Sequence, residues 1–398
     1  MKELKQQEKF EINGEALLKT LMELLQIPSP SGYTDQVVMY VAKSLRAAGL
    51  NFELTRRGAI RAHIPGKAAN PSRAVVAHID TLGAMVRGLK SNGRLEVTPI
   101  GHWSSRFAEG ARVTVFTDSG PRRGTILPIK SSGHTFNEEI DTLPVSWDTI
   151  ELRVDERCYS QEDLTNFGYR IGDFISIDPN PEYTNSGFLV SRHLDNKAGA
   201  ACLITAAATF ASYGLKPPVD SYFLFTISEE VGSGASAVLH GEVSEMVSID
   251  NSTVAPGQNS TELGVTVAMK DSTGPFDYHL THKLIDICDK KNIPYARDVF
   301  RYYLCDAASA LEAGNDIRTA LLCFGCDSSH GYERTHVDSL KSLTELLCHY
   351  VMSPPTFYRD ARELSGLDDF PMTQPQLEQN PQDTEVEKTL KPLEYKND

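Results

Sequence analysis

The chain has 398 residues, more than most single domains, so we expect two domains. Its formal charge of -14 disfavours nucleic acid and anionic lipid as partners, because both are negatively charged. Residues 1–10 are charged and no apolar run approaches the roughly 20 residues that span a bilayer, so we expect neither a signal peptide nor a membrane segment. The seven scattered cysteines are typical of a cytoplasmic protein with reduced thiols.

The first half of the chain predicts two helices, then strands, then a β-rich segment. Leucines recur at helical spacing from Leu17 to Leu25, and a second helix begins near Thr34 and ends at Gly49. Strand-like runs follow at residues 52–55, 59–63 and 74–78. Residues 88–186 hold only short β-rich pieces separated by glycine and proline, which is the pattern of a small barrel or sandwich.

Alternating strands and helices resume in the second half. The predicted elements are a helix at 196–213, strands at 221–227 and 246–249, a helix at 276–291, a strand at 318–324 and a helix at 338–352. Such alternation predicts a mostly parallel sheet covered by helices. We therefore predict one α/β domain, formed by residues 1–86 and 187–365, that is interrupted by a β domain at 87–186. Residues 366–398 are rich in Pro, Gln, Glu and Asp, and we expect them to be disordered.

The first two candidate motifs contain His78 with Asp80, and Asp195. His78-Ile79-Asp80 ends a strand, and alternation places His78 and Asp80 on one face. There the aspartate could accept the second ring N–H of a metal-bound histidine, although a turn aspartate explains the pattern equally well. Asp195 precedes the alanine-rich helix, where it could bridge two metal ions or simply cap the helix.

Glu229 and Glu230 directly follow the buried strand at 221–227. Such a pair is hard to explain as surface charge, and both carboxylates enter one site only if the backbone turns there. Adjacent residues also suit a glycosidase poorly, because its carboxyl groups flank a sugar about 5 to 9 Å apart. A metal ligand beside a general base fits better, with a solvated loop as the alternative.

Asp250 and His336 complete the candidate set. Asp250 follows the strand at 246–249, and His336 lies just before the final helix. His330, six residues away in the same loop, is the main competitor of His336. Ligands bind at the carboxyl ends of strands in open α/β sheets. All five candidate metal ligands map to such ends, namely His78, Asp195, Glu230, Asp250 and His336.

This composition predicts two divalent metal ions. Two histidines and three carboxylates give each ion mixed nitrogen and oxygen ligands, which suits zinc, cobalt or manganese better than magnesium or calcium. Two ions on opposite sides of one water lower its pKa and polarise a scissile carbonyl. Glu229, without a metal, would take the proton of that water and pass it to the leaving amine.

The chain resembles peptidase family M42, the glutamyl and tetrahedral aminopeptidases, from near Leu17 to near Met352. The shared motifs are Ala77-His78-Ile79-Asp80, Leu194-Asp195-Asn196-Lys197-Ala198-Gly199, Glu229-Glu230-Val231-Gly232, Gly274-Pro275, Asp306-Ala307, the late His336 and, in the insert, Gly124-Thr125-Ile126 and Gly172-Asp173. Within the family, overall likeness places it closest to the branch associated with the N-acetylglutaminylglutamine amide osmoprotectant system.

The resemblance implies a zinc-peptidase-like α/β/α sandwich with an inserted PDZ-like β-barrel that serves in oligomerisation, often into dodecamers. It implies an aminopeptidase that removes N-terminal residues from peptides. The roles it implies are one metal on His78 and Asp250, the other on Glu230 and His336, Asp195 as the bridge, Glu229 as the base, and Asp80 as the residue that orients His78.

The chain departs from the family pattern at a few positions beside these motifs. Asn196 stands for a common aspartate, Lys197 for arginine, Thr81 for a frequent glutamate, and Gly232-Ser233-Gly234 for Gly-Leu-Arg. The nearest alternative is a dinuclear deacylase or carboxypeptidase of the M20 or M28 kind, acting on N-acylated amino acids or a dipeptide osmolyte. The early insert argues against M20, whose lid follows the glutamate pair. A non-catalytic scaffold would lack a ligand or the base, whereas the full set is present.

Overall fold

The computed structural model describes residues 10–239, 243–367 and 369–375. The helices are α1 Gly14–Leu25, α2 Asp35–Ala47, α3 Gly133–Phe136, α4 Gln161–Asn166, α5 Leu194–Tyr213, α6 Tyr278–Lys291, α7 Asp306–Glu312 and α8 Val337–Val351. The strands are β1 Asn51–Leu54, β2 Ile60–Ile64, β3 Ala68–His78, β4 Gly83–Leu89, β5 Leu95–Ile100, β6 Arg112–Thr117, β7 Gly120–Pro128, β8 Ile150–Val154, β9 Phe174–Ile177, β10 Glu182–Tyr183, β11 Phe188–Ser191, β12 Val219–Thr226, β13 Val243–Val254, β14 Val265–Lys270, β15 Tyr295–Val299, β16 Arg318–Asp327 and β17 Glu333–His336.

One mixed sheet forms the centre of the fold, with the strand order β1-β2-β12-β3-β13-β16-β17-β11-β10. β14 joins it beside β16 and carries β15 on its other side. The central strands β12, β3, β13 and β16 run parallel to one another. Their carboxyl ends therefore meet at one edge of the sheet, where ligands bind in open α/β sheets.

The central strands are buried, and their sequences are accordingly apolar runs rather than alternating patterns. Residues 71–78 of β3 and 245–252 of β13 are buried at every position. Helix α5 packs on these two strands and also contacts α1 and α8, and the small side chains of its seven alanines allow this close approach on several sides. This packing fixes the start of α5 against the edge of the sheet at which β3 and β13 end.

The strand register brings the functional strand ends into line. Thr226 of β12 pairs with His78 of β3, and Ser248 of β13 pairs with Val76. Asp250 lies two residues beyond Ser248 and is therefore level with His78. The chain turns shortly after β12, so the side chains that follow this strand lie at the same edge of the sheet as His78 and Asp250.

A closed antiparallel barrel interrupts this α/β fold, with the strand order β4-β5-β8-β7-β6-β9. Its own apolar core includes Val86, Leu95, Val113, Leu152 and Ile175. Buried and half-buried residues alternate along β6, as expected for a strand with one face towards a core. The predicted fold class, a mixed α/β protein with a small inserted barrel, is confirmed.

The barrel strands extend from Gly83 to Ile177, whereas the insert was predicted at residues 87–186. The exact domain limits stay a prediction. One compact unit ends at Glu363 and a second begins at Leu364. Residues 364–367 and 369–375 contain no helix or strand, and the rest of the predicted disordered tail lies outside the described residues. No helix in the described part of the chain is long and apolar enough to cross a membrane.

Candidate metal centre and active site

His78 ends β3 with only 1% of its side chain exposed. Its Nε2 lies 3.1 Å from Asp195 Oδ1, 3.7 Å from Glu229 Oε2 and 3.9 Å from Asp250 Oδ1. Its Nδ1 lies 3.0 Å from the backbone carbonyl of Asp80, to which it donates. The proton is therefore held on Nδ1, and Nε2 faces the carboxylates in the form that binds metal.

The carboxylate of Asp80 has a different task from the one predicted. Its contact with Nδ1 of His78 is 3.6 Å, longer than that of the backbone carbonyl. It accepts hydrogen bonds from the backbone N–H groups of Glu229 at 3.2 Å and Glu230 at 3.4 Å, and from the Ser31 hydroxyl at 2.5 Å. Asp80 therefore orients His78 through its backbone and holds the turn of the two glutamates through its side chain.

Asp195 lies at the start of α5, and each of its two oxygens faces a different histidine. Oδ1 is 3.1 Å from His78 Nε2, and Oδ2 is 3.2 Å from His330 Nε2. The backbone of Asp195 is not helical, so the regular helix starts beyond it. Asn251 follows Asp250 and donates its side-chain amide to Oδ2 of Asp195 at 2.6 Å. Asp195 therefore contacts both histidines and Asn251 with one carboxylate.

Glu229 and Glu230 both reach this site, because the chain turns at residues 229–232. Glu229 Oε2 approaches His78 Nε2 at 3.7 Å, and Glu230 Oε2 approaches His330 Nε2 at 3.7 Å. The second oxygen of Glu230 is buried and has no hydrogen-bond partner among the described residues. An unpaired, buried carboxylate oxygen costs free energy, which a bound cation would offset.

Two overlapping groups of side chains could hold a metal ion. The groups are His78 with Asp195 and Glu230, and His78 with Glu229 and Asp250. Within each group, one ligand atom per residue lies within 4.8 Å of the others. Protein ligands lie about 2.0 to 2.2 Å from a zinc ion, so only small movements would bring each group around one ion.

His336, predicted as the fifth ligand, does not lie in this cluster. It pairs with Phe188 of β11, and their rings pack at 4.8 Å between centroids. Its Nε2 lies 2.9 Å from the Ser186 carbonyl, and its Nδ1 accepts the backbone N–H of Asp338 at 3.1 Å. Both ring nitrogens are therefore engaged elsewhere, and the expectation that His336 completes the ligand set is corrected.

His330 occupies the place that was predicted for His336. It lies in the turn between β16 and β17 with a left-handed backbone, at φ 62°. Its Nδ1 donates to the His102 carbonyl at 2.8 Å, which leaves Nε2 towards Asp195 and Glu230. The competitor noted in the sequence is thus the histidine that the structure brings to the carboxylates.

Glu333 belongs to the site although nothing in the sequence indicated it. Its Oε2 accepts the backbone N–H of Asp195 at 3.1 Å, and its Oε1 accepts that of His330 at 3.0 Å. Burial and the charge of Asp195 raise the pKa of Glu333 to about 8. One side chain therefore holds together the two residues that face each other across the site.

The site contains more negative charge than its histidines can balance. Burial raises the pKa of Glu229, Glu230 and Asp250 well above their ordinary values. Burial alone would lower the pKa of His330, but the neighbouring carboxylates outweigh it and raise that pKa to about 11. The contacts that His330 and His78 make with its oxygens lower the pKa of Asp195 in spite of its burial. A divalent cation would stabilise such a cluster of buried carboxylates.

The cluster opens onto a cleft of about 1050 Å³. Its lining includes Asp195, Glu229, Glu230, Asp250 and His330. A cleft of this size accommodates a small ligand or the end of a peptide. The candidate ligands are therefore both buried from bulk water and accessible to a substrate.

Residues 58–346 match the sequence pattern of the family described as M42 glutamyl aminopeptidase. This chain belongs to that family. YhfE of Bacillus subtilis (strain 168), an inferred aminopeptidase, is 35% identical over 338 residues, which are 85% of this chain and 97% of YhfE. The predicted family and the predicted class of enzyme, a hydrolase that acts on peptide bonds, are confirmed for this M42 protein.

Solved structures share the fold of this M42 protein. Aminopeptidase APDkam598 from the archaeon Desulfurococcus kamchatkensis superposes with a TM-score of 0.79 and 21% identity, over 89% of this chain and 98% of that one. The Pyrococcus horikoshii TET1 peptidase gives a TM-score of 0.75 and 22% identity, over 85% of this chain and 100% of that one. At these identities, the likeness establishes the fold alone.

Proposed function

We propose that this M42 protein is an aminopeptidase that uses two divalent metal ions to hydrolyse N-terminal residues from peptides. The observation that carries the dinuclear proposal is the placement of Asp195. One of its oxygens faces His78 at 3.1 Å and the other faces His330 at 3.2 Å. A helix cap or an isolated ion pair needs only one of these contacts, whereas a bridging ligand needs both.

The surrounding side chains fit a pair of ions. His78 and Asp250 would hold one ion, Glu230 and His330 the other, and Asp195 both. The unpartnered, buried oxygen of Glu230 supplies a ligand atom that the protein itself leaves unused in its described part. Mixed nitrogen and oxygen ligands suit zinc, cobalt or manganese. Bound there, the ions would lower the pKa of a water molecule and polarise the scissile carbonyl.

Glu229 is the proposed general base. Its side chain is 11% exposed, more than those of His78, Asp195 and Asp250, and it lines the cleft. The Asp80 carboxylate accepts a hydrogen bond from the backbone N–H of Glu229 and so fixes the turn that carries the Glu229 side chain. Glu229 would take a proton from water and deliver it to the leaving amine.

The assembly and location of this M42 protein are further parts of the proposal. We propose a homo-oligomer, because the Pyrococcus horikoshii TET1 peptidase of the same fold can assemble into a tetrahedron or a large octahedral shell. A cytoplasmic location is supported by the seven cysteines, all of which are free thiols. The placement near the N-acetylglutaminylglutamine amide branch stays a prediction.

A panel of substrates tests the proposed reaction. The purified protein is assayed on aminoacyl substrates with a free amine, glutamyl included, and on their N-acetylated counterparts. We expect hydrolysis of the free amines only, loss of that activity with a chelator, and its recovery with Zn²⁺, Co²⁺ or Mn²⁺. Hydrolysis of only the N-acetylated substrates would establish the deacylase alternative, and activity that survives exhaustive chelation would exclude the metal mechanism.

The same assay with the Glu229→Gln variant distinguishes two possible roles of Glu229, a general base and a metal ligand. As a base, Glu229 contributes about 10² to 10⁴-fold to turnover, so kcat should fall by that factor while the metal content stays unchanged. Glu96→Gln, at an exposed barrel glutamate paired with Arg87, is the matched control and should behave as the wild type. A variant that has lost metal would show that Glu229 is a ligand.

A further inference from the structure

Tyr303 presents a buried hydroxyl group without a hydrogen-bond partner among the described residues. It lies in the segment between β15 and α7, where its ring packs against Phe300 at 5.2 Å between centroids. Its backbone carbonyl accepts the N–H of Ser272 at 2.9 Å. Ring and backbone are thus held by the protein, and only the phenol O–H is left unused.

This unused hydroxyl costs stability. A buried donor without a partner lowers the stability of the folded state, and such groups are rare in folded proteins. Phenylalanine would make the same packing contact with Phe300 without that cost. The hydroxyl of Tyr303 therefore does not stabilise the free protein. It would contribute to binding a ligand that offers a hydrogen-bond acceptor.

The position of Tyr303 indicates which ligand this is. Tyr303 is among the residues that line the same cleft as Glu229, Asp195 and Asp250. A phenol has an ordinary pKa of about 10, so at neutral pH it carries its proton and acts as a hydrogen-bond donor. The other side chains of the site are mostly acceptors.

A peptide end offers few acceptors to such a donor. The N-terminal amine is itself a donor or a positive charge, and the acidic side chains of the site match it. The scissile carbonyl oxygen is an acceptor, and it becomes more negative when water adds to the carbonyl carbon. A hydrogen bond to that oxygen is stronger in the transition state than in the ground state. Hydrogen-bond donors of this kind accelerate acyl transfer for that reason.

We propose that Tyr303 is a further catalytic residue, whose phenol O–H donates a hydrogen bond to the carbonyl oxygen of the substrate's N-terminal residue and to the oxyanion formed from it. This role rests on the proposed aminopeptidase function. The bond transfers no proton, so the phenol is unchanged at the end of each turnover.

Tyr303→Phe tests this role because it removes one oxygen atom and keeps the ring. We expect kcat to fall about 10² to 10³-fold, the effect of losing one oxyanion donor, with KM nearly unchanged. Metal content should match the wild type. The melting temperature should stay the same or rise, because the unpaired buried hydroxyl is gone. Tyr159→Phe, at an exposed tyrosine of the barrel segment, is the matched control and should change none of these values.

A second measurement does not depend on turnover. A tetrahedral aminophosphonate analogue of the substrate should bind Tyr303→Phe at least tenfold more weakly than the wild type, and the product amino acid should bind both equally. Wild-type kcat in the variant, a rise in KM alone, equal binding of the analogue, or a lower melting temperature would each overturn the role. If instead the metal-loaded wild type hydrolyses no aminoacyl substrate, the proposed function itself has failed.

Discussion

Asp195 lies at the centre of the candidate site, in contact with both of its histidines. Its carboxylate lies between His78 and His330, and the side-chain amide of Asn251 donates to Oδ2 at 2.6 Å. Glu333 accepts hydrogen bonds from the backbone N–H groups of Asp195 and His330, so it fixes these two residues relative to each other. The proposed ligands are therefore positioned by partners that are themselves buried and hydrogen-bonded, as is usual for metal sites.

The two late histidines give a direct test at this scale. His330→Ala removes the nitrogen that faces Asp195 and Glu230, so we expect the variant to lose about one metal ion per chain and nearly all hydrolysis. His336→Ala should keep its metal content, because its ring bonds Ser186 and Asp338 instead. It should lose about 1 kcal/mol of stability, since His336 caps α8. The metal content of both variants is measured after desalting. Loss of metal from His336→Ala but not from His330→Ala would show that His336 is the ligand.

Most of the candidate site could be predicted from the sequence because its residues lie in the carboxyl-terminal part of a parallel strand or just beyond it. His78, Glu229, Glu230 and Asp250 converge wherever such strand ends meet, whatever the loops do. The choice between His330 and His336 depends on a turn with left-handed backbone at Ser328 and His330, neither of which is glycine. Glu333 could not be predicted, because its partners are backbone N–H groups from distant parts of the chain.

The central strands set the geometry of the site at the level of secondary structure. The long buried strands were all predicted, some more closely than others. The strand predicted at 318–324 is Arg318–Asp327, whereas the one predicted at 246–249 extends over Val243–Val254. The strands β11 and β17 were not predicted; β17, for example, is polar at all four positions and shows no apolar pattern. These two strands pair with each other and carry His336 away from the carboxylates. The wrong choice of His336 as a ligand therefore follows from the failure to predict β11 and β17.

The start of α5 offers a test of how tightly these elements fit. A Cβ atom on Gly199 would lie 2.1 Å from Asn196 Oδ1 and 2.8 Å from Ile249 Cγ2. Alanine normally stabilises a helix by about 1 kcal/mol relative to glycine. At this position we expect the clash to dominate and Gly199→Ala to destabilise the protein by about 1 to 3 kcal/mol, as overpacked cores do.

Chemical denaturation measures this effect, and Ala208→Gly provides the matched control. Ala208 is exposed on the same helix, so its replacement reports helix propensity alone and should cost about 1 kcal/mol. A Gly199→Ala variant that is more stable than the wild type would show that α5 is not pressed against β13 at this point.

At the scale of the whole molecule, the inserted barrel and the α/β fold both contribute to the site. His102 lies between the barrel strands β5 and β6, and its backbone carbonyl accepts Nδ1–H of His330 at 2.8 Å. It also lines the cleft. The barrel was predictable from its short strands and turn residues, whereas its contact with His330 was not, because a backbone carbonyl carries no sequence signal. Family membership supports the enzyme class, and the number of ions rests on geometry.

The stoichiometry of metal binding tests the central proposal most directly. The protein is stripped with a chelator and titrated with Zn²⁺ while bound metal and hydrolysis of a free aminoacyl substrate are followed together. We predict two tightly bound ions per chain, with full activity only when both are present. Full activity with a single ion, or with none, would contradict the dinuclear site built around Asp195.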